Sequence, residues 1–144
     1  MTVVIEYADS EFKLVFINQG NASRKIWEFH NSWGWNTLTW ILTENDKRTK
    51  TIEIKKLRNK AWTKNGPSFF EIPAGSRYVV PINLKDSDWE IPDEVNTLKD
   101  KALIIKISLE IPRSPESEMY DVFVGKLDSN EILLNPPHNW LPAK

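Results

Sequence analysis

KIWEFHNSWGWNTLTWIL, Lys25 to Leu42, holds four of the seven tryptophans in eighteen consecutive residues. Its parity is that of two strands around a tight connection. Trp27 and Phe29 fall on one face with Glu28 and His30 on the other, and Leu38, Trp40 and Leu42 share a face opposite Thr37, Thr39 and Thr43. Alternation of this kind is what a half-buried strand requires, because successive side chains point to opposite faces. The two runs are expected to pair as an antiparallel hairpin across Asn31 to Asn36.

The same period continues on both sides. Toward the N-terminus, Val3, Ile5 and Tyr7 alternate with Thr2, Val4 and Glu6, Ala8-Asp9-Ser10 is a turn signal, and Phe12, Leu14 and Phe16 resume the pattern until Asn18 to Ser23 breaks it. Toward the C-terminus, Glu44 to Lys47 reads as a charged turn, Thr51 to Lys55 as a short strand with Ile52 and Ile54 inward, and Arg58 to Ser68 as a loop with its sharpest point at Asn65-Gly66-Pro67. Phe69 to Ile72 is a brief strand, and Tyr78, Val80, Ile82 and Leu84 form the next inward set. Pro81, on the opposite face of that set, cannot donate to a ladder, so this strand is expected at a sheet edge or at a bulge. Lys85 to Lys101 is irregular, with a helical turn possible over Pro92 to Leu98. Leu103, Ile105, Ile107, Leu109 and Ile111 give the cleanest alternation in the chain and predict a central strand. Tyr120 to Leu127 and Asn130 to Leu134 form either one strand broken near Asp128 or a last hairpin.

Short strands, turn signals at roughly 8–12 residue spacing and no sustained helical period predict an all-β fold, an antiparallel β-sandwich of about seven to nine strands, with a closed barrel as the rival. At 144 residues the chain fits one domain, taken as 1–134, with a Pro-rich tail over 135–144 expected to be extended or docked on the surface. The absence of Cys excludes disulfides and thiolate metal sites. Nineteen Lys and Arg against twenty Asp and Glu give no global field for nucleic acid or an anionic membrane, so neither is expected as a partner. No run approaches 18 apolar residues, and MTVVIEYADSEFKLVF has no basic n-region or apolar h-region. The expected compartment is the cytoplasm, with a removed signal peptide left open.

Several short motifs carry a resemblance. Asn18 after an apolar strand, Thr63-Lys64-Asn65-Gly66-Pro67, Ile72-Pro73-Ala74-Gly75 before an alternating strand, and Phe123 to Asn130 near the end resemble bacterial immunoglobulin-like sandwich domains. That resemblance implies an adhesive, binding or spacer module. The Cys pair and central Trp of antibody-type domains are not present as a set, which departs from the disulfide-bonded members. The turn before Tyr78 is also similar to intracellular proteinase inhibitors of the same sandwich class.

Function is expected to be non-catalytic binding through an aromatic loop surface. Parity sends Trp27 and Trp40 to the interior, whereas Trp33 and Trp35 sit in the connection beside the amides of Asn31 and Asn36. A flat ring next to amide donors and acceptors suits a protein hot spot first and a sugar face second. The opposing reading is that these rings fold back to cap the sandwich. Trp62 and Asn65 in the second loop and Trp89 in the third are the expected neighbours, so the candidate binding residues are Asn31, Trp33, Trp35, Trp62, Asn65 and Trp89. No cofactor is expected. Asp86, Asp88 and Glu90 have the alternate spacing of a calcium loop but lack its glycine and distant glutamate, so they read as a solvated turn. A proteinase inhibitor would use the loop Arg113 to Met119. An enzyme would need His30 close to a second ionisable group in a cleft.

Overall fold

The structure is a computed structural model, and it describes residues 1–58, 65–86 and 88–142. The strands are β1 (Thr2–Ala8), β2 (Glu11–Ile17), β3 (Arg24–Trp27), β4 (Leu38–Glu44), β5 (Lys47–Lys56), β6 (Phe69–Ile72), β7 (Arg77–Ile82), β8 (Trp89–Glu90), β9 (Leu103–Ile111), β10 (Gly125–Asp128) and β11 (Ile132–Leu134). A 3₁₀ helix spans Asp93–Leu98, and one short helix, α1, spans Pro115–Met119. No helix among the described residues is long and apolar enough to cross a membrane.

The fold is all-β, with antiparallel sheets that do not close into a barrel. A small sheet has the order β1-β2-β7, and a large sheet has the order β10-β9-β4-β5-β8 with β11 also on β9. β3 and β6 pair as a third, two-stranded sheet. Among the described residues eleven strands stand where seven to nine were expected, because β8 and β11 are too short to announce themselves and β10 and β11 are two halves of one run. β9 is central between β4 and the β10–β11 run, as its alternation predicts.

The inward rows of the two larger sheets make one core. Val3, Ile5, Phe12, Leu14 and Phe16 of the small sheet join Leu38, Trp40, Leu42, Ile54, Leu103, Ile105, Ile107 and Leu109 of the large one. The Phe12 ring meets Trp40 edge-on at 5.1 Å, an arrangement aromatic quadrupoles favour. Burying a Leu, Ile or Phe side chain contributes about 1.5–3 kcal/mol, so this paired face outweighs any single polar contact in the domain.

The hairpin expected between Trp27 and Leu38 does not form. β3 pairs with β6, and β4 lies in the large sheet between β5 and β9. Parity specified which side chains point inward, but nothing local specified the partner strand, and the connection turns the chain away. The C-terminal segment also differs from expectation. Trp140 and Leu141 are 5% exposed, and the Trp140 ring stacks on Trp40 at 6.3 Å, so residues assigned to a surface tail complete the core. Regular alternation is the signal for a buried strand, and a lone Trp among prolines carries none. α1 was read as loop; its cap, Ser114 exchanging hydrogen bonds with Ser117 and Pro115 at the first helical positions, is a legible start signal.

The two lateral sides of the domain are closed differently. On one side the β10–β11 run breaks at Ser129, whose hydroxyl accepts the Ile107 amide at 2.9 Å in place of a ladder bond. The break frees Asn130 to reach across to the edge of β1, where it accepts from the Ile5 amide at 2.8 Å and donates to the Ile5 carbonyl at 3.2 Å. On the other side, among the described residues, no side chain bridges the backbones of β7 and β5 in this way. Asn130→Ala is expected to destabilise the fold by about 1–3 kcal/mol in urea denaturation and to speed hydrogen exchange at the Ile5 amide, because both Ile5 backbone groups lose their partner.

Candidate functional site

The connection from Glu28 to Thr37 is organised by Asn31, which is 3% exposed. Its carbonyl oxygen accepts from the Trp33 and Gly34 amides, each at 3.0 Å, and its amide nitrogen donates to the Ser68 carbonyl at 3.0 Å and hydroxyl at 2.9 Å. One buried side chain therefore ties the turn to the segment leading into β6. Trp35 closes the turn by donating its backbone amide to the Asn31 carbonyl, and Thr37 donates to the Gly34 carbonyl. Gly34 has no substitute here, since a Cβ would lie 2.0 Å from the Glu28 carbonyl oxygen.

The expected site residues separate accordingly. Trp35 is 4% exposed, and its indole donates to the Leu57 carbonyl at 2.8 Å. Trp89 is 6% exposed and meets Trp40 edge-on. Trp33 is half-buried and stacks on Trp27 at 5.8 Å, and the Trp27 ring also meets Phe69 and Tyr120. Asn65 exchanges two hydrogen bonds with Ser32, at 3.0 and 2.8 Å. Trp62 lies outside the described residues. Asn31, Trp33, Trp35 and Asn65 are thus gathered around one turn, while Trp89 is linked to them through Lys56, whose ammonium lies 4.7 Å from the Trp35 ring and 4.5 Å from the Trp89 ring. The rings expected to form one open patch spend most of their surface on the interior.

What the turn does create is a groove of about 360 Å³ on the open side of the domain. Phe29 and Phe70 lie beside Tyr78 and Val80 of β7 in its lining, with Trp35 further along, and Glu28, His30, Lys56 and Asp88 supply the polar groups. Tyr78 stacks on Phe70 at 4.3 Å with the planes 10° apart and remains 41% exposed. Parity had assigned Tyr78 and Val80 to the core. They are only partly covered because β7 is an edge strand, the placement Pro81 indicates.

The polar groups are ordered in sequence. The Ser68 hydroxyl donates to Glu28 Oε2 at 2.9 Å, and His30 Nε2 lies 3.2 Å from the same oxygen. Asp88 pairs with Lys56 at 3.8 Å. Ser68 and His30 both meet the carboxylate and not each other, so no proton relay runs from hydroxyl to imidazole. Among the described residues no three His, Asp or Glu side chains converge to hold a metal ion, and Asp88 is turned toward Lys56.

No model of a known protein family, no curated protein and no solved structure gives a significant match to this chain.

Gly34→Ala is expected to cost about 3 kcal/mol or more in chemical denaturation, since backbone must move to admit the methyl group. Trp35→Phe, which loses the bond to the Leu57 carbonyl and part of the packing of a buried indole, is expected to cost about 2–4 kcal/mol.

Proposed function

We propose that the protein is a non-catalytic binding module of the immunoglobulin-like sandwich type, and that it holds an extended segment of another protein in the groove beside β7. The observation that carries the reading is the partly covered aromatic lining of Phe29, Phe70 and Tyr78 beside the edge strand β7. Binding sites are commonly concave and mostly apolar, with a few placed polar groups. Among the described lining residues the carboxylates of Glu28 and Asp88 outnumber the ammonium of Lys56, which favours a segment carrying lysine or arginine.

Strand order supports the fold part of the reading. With β1, β2 and β7 as strands A, B and E, and β4, β5, β9 and the β10–β11 run as C, C′, F and G, both sheets follow the immunoglobulin order without strand D. β3, β6 and β8 are additions to it. The inhibitor alternative is less favoured, because Pro115–Met119 is helical and would have to unwind to enter a protease cleft as an extended chain.

The test is a peptide array of extended segments with apolar residues at alternate positions and a flanking lysine or arginine, run beside a glycan array. Ligands are expected from the peptides, with amide shift changes at Phe29, His30, Tyr78 and Val80. Val80→Asp is expected to weaken them about tenfold or more, with Leu133→Asp on the far face of the large sheet leaving them unchanged. Glycan ligands alone, sensitive to Val80→Asp, would transfer the site to carbohydrate. Ligands indifferent to Val80→Asp would remove the groove from the function.

A further inference from the structure

The free edge of β7 has a definite hydrogen-bonding phase. The Asn18 amide donates to the Ser76 carbonyl at 2.9 Å, and β2 and β7 pair in register from Ile17 with Arg77 to Phe12 with Ile82. In an antiparallel ladder hydrogen-bonded and non-hydrogen-bonded pairs alternate. Tyr78, Val80 and Ile82 therefore turn their backbone groups toward β2, and Arg77, Val79 and Pro81 turn theirs away. Pro81, which has no N–H, sits in the outward set. Among the described residues nothing pairs with this outward edge.

Three other edges of the fold, those of β1, β3 and β5, are covered or charged. β1 is capped by Asn130, β3 is engaged by the Phe123 amide on the Lys25 carbonyl, and β5 carries Lys47, Arg48 and Lys50. β7 instead presents Val79, 47% exposed, at its centre. On the outer face of the small sheet Val79 continues a row with Val4 and Val15. A bare edge next to an apolar row is a template for another strand.

We propose that the partner is a second copy of this chain, joined β7 to β7 in antiparallel register about a two-fold axis at Val79. In that register the two Val79 residues exchange both hydrogen bonds, and each Arg77 amide donates to the Pro81 carbonyl of the other copy. Every outward donor then has an acceptor, and the missing Pro81 donor falls opposite the Arg77 carbonyl at the strand end, where water reaches it. Arg77 faces proline and not a like charge, and the valine row runs unbroken across the axis. Centring on Arg77 would set two guanidinium groups opposite each other. Centring on Pro81 would offer no donor at the axis. Centring on Tyr78 overlaps only Arg77 to Val79 before the turn at Gly75, whose φ is +72°, ends the strand. The Val79 register overlaps Arg77 to Pro81 and is the longest of these. The pairing uses the backbone edge and outer face, so it does not depend on what the groove binds.

The test is sedimentation velocity over about 1 µM to about 1 mM protein, with Val79→Asp and Val79→Lys. The unaltered protein is expected to pass from monomer to dimer across this range. Each variant, placing like charges at the axis on an exposed position, is expected to weaken association about tenfold or more, and an equimolar mixture of the two is expected to restore it. A single monomeric species throughout overturns the proposal, as does dimerisation that neither substitution changes. Tighter association of Val79→Asp alone would also overturn it, since that requires Val79 to face Arg77. Far-ultraviolet circular dichroism confirms folding of both variants, and slowed exchange of the Arg77 and Val79 amides at high concentration in the unaltered protein reads the same pairing without a substitution.

Discussion

The contact on which the rest of this structure depends is the approach of Gly34 to the Glu28 backbone, locked by Asn31. A chain leaving β3 with Trp27 inward could double back as a hairpin, and the side-chain pattern of β4 suits that. The turn prevents it by folding residues 31–37 into a compact knot with its own hydrogen bonds, so β4 emerges toward the large sheet. β3 is left to find β6. A buried carboxamide with four satisfied bonds is costly to disrupt, because each bond lost leaves a buried group unpaired.

From that diversion follow the third sheet, the disposal of the tryptophans and the groove. Trp33 is carried back onto Trp27, Trp35 is carried under Lys56, and Phe29 is left beside Phe16 and Phe70. Lys56 lies between two indole rings with its ammonium near Asp88, an arrangement in which partly desolvated cation–π attraction reaches about 2 kcal/mol. The tryptophans of the connection thus serve as walls, and the open surface passes to residues whose local pattern reads as core.

The asymmetry between the two lateral sides has the same kind of origin. Asn130 on β1 is a side chain standing in for a neighbouring strand, made available by one break in the β10–β11 run. Among the described residues β7 has no such substitute, which leaves its outward backbone groups unpaired. Trp140 Nε1, His138 Nδ1 and Trp40 Nε1 are buried without a hydrogen bond, and the C-terminal segment is held by ring packing together with the contact of His138 Nε2 with the Lys101 carbonyl.

The sequence by itself determined the class of fold, because a period of two is a local property that any sheet must satisfy, and Val3 to Phe16 and Leu103 to Ile111 display it without ambiguity. It also narrowed β7 to an edge or a bulge, since a proline cannot complete a ladder, and the sheet order made it an edge. It determined the inward faces of Trp27 and Trp40. Only tertiary structure decided which strand pairs with which, and so that β3 and β4 part company. Register and partner depend on contacts between residues far apart in the chain, which no window of sequence contains. For the same reason the four candidate residues around Asn31 were legible as a group, but not their burial, and Tyr78 and Val80 were legible as inward-facing, but not the lack of a neighbour to cover them.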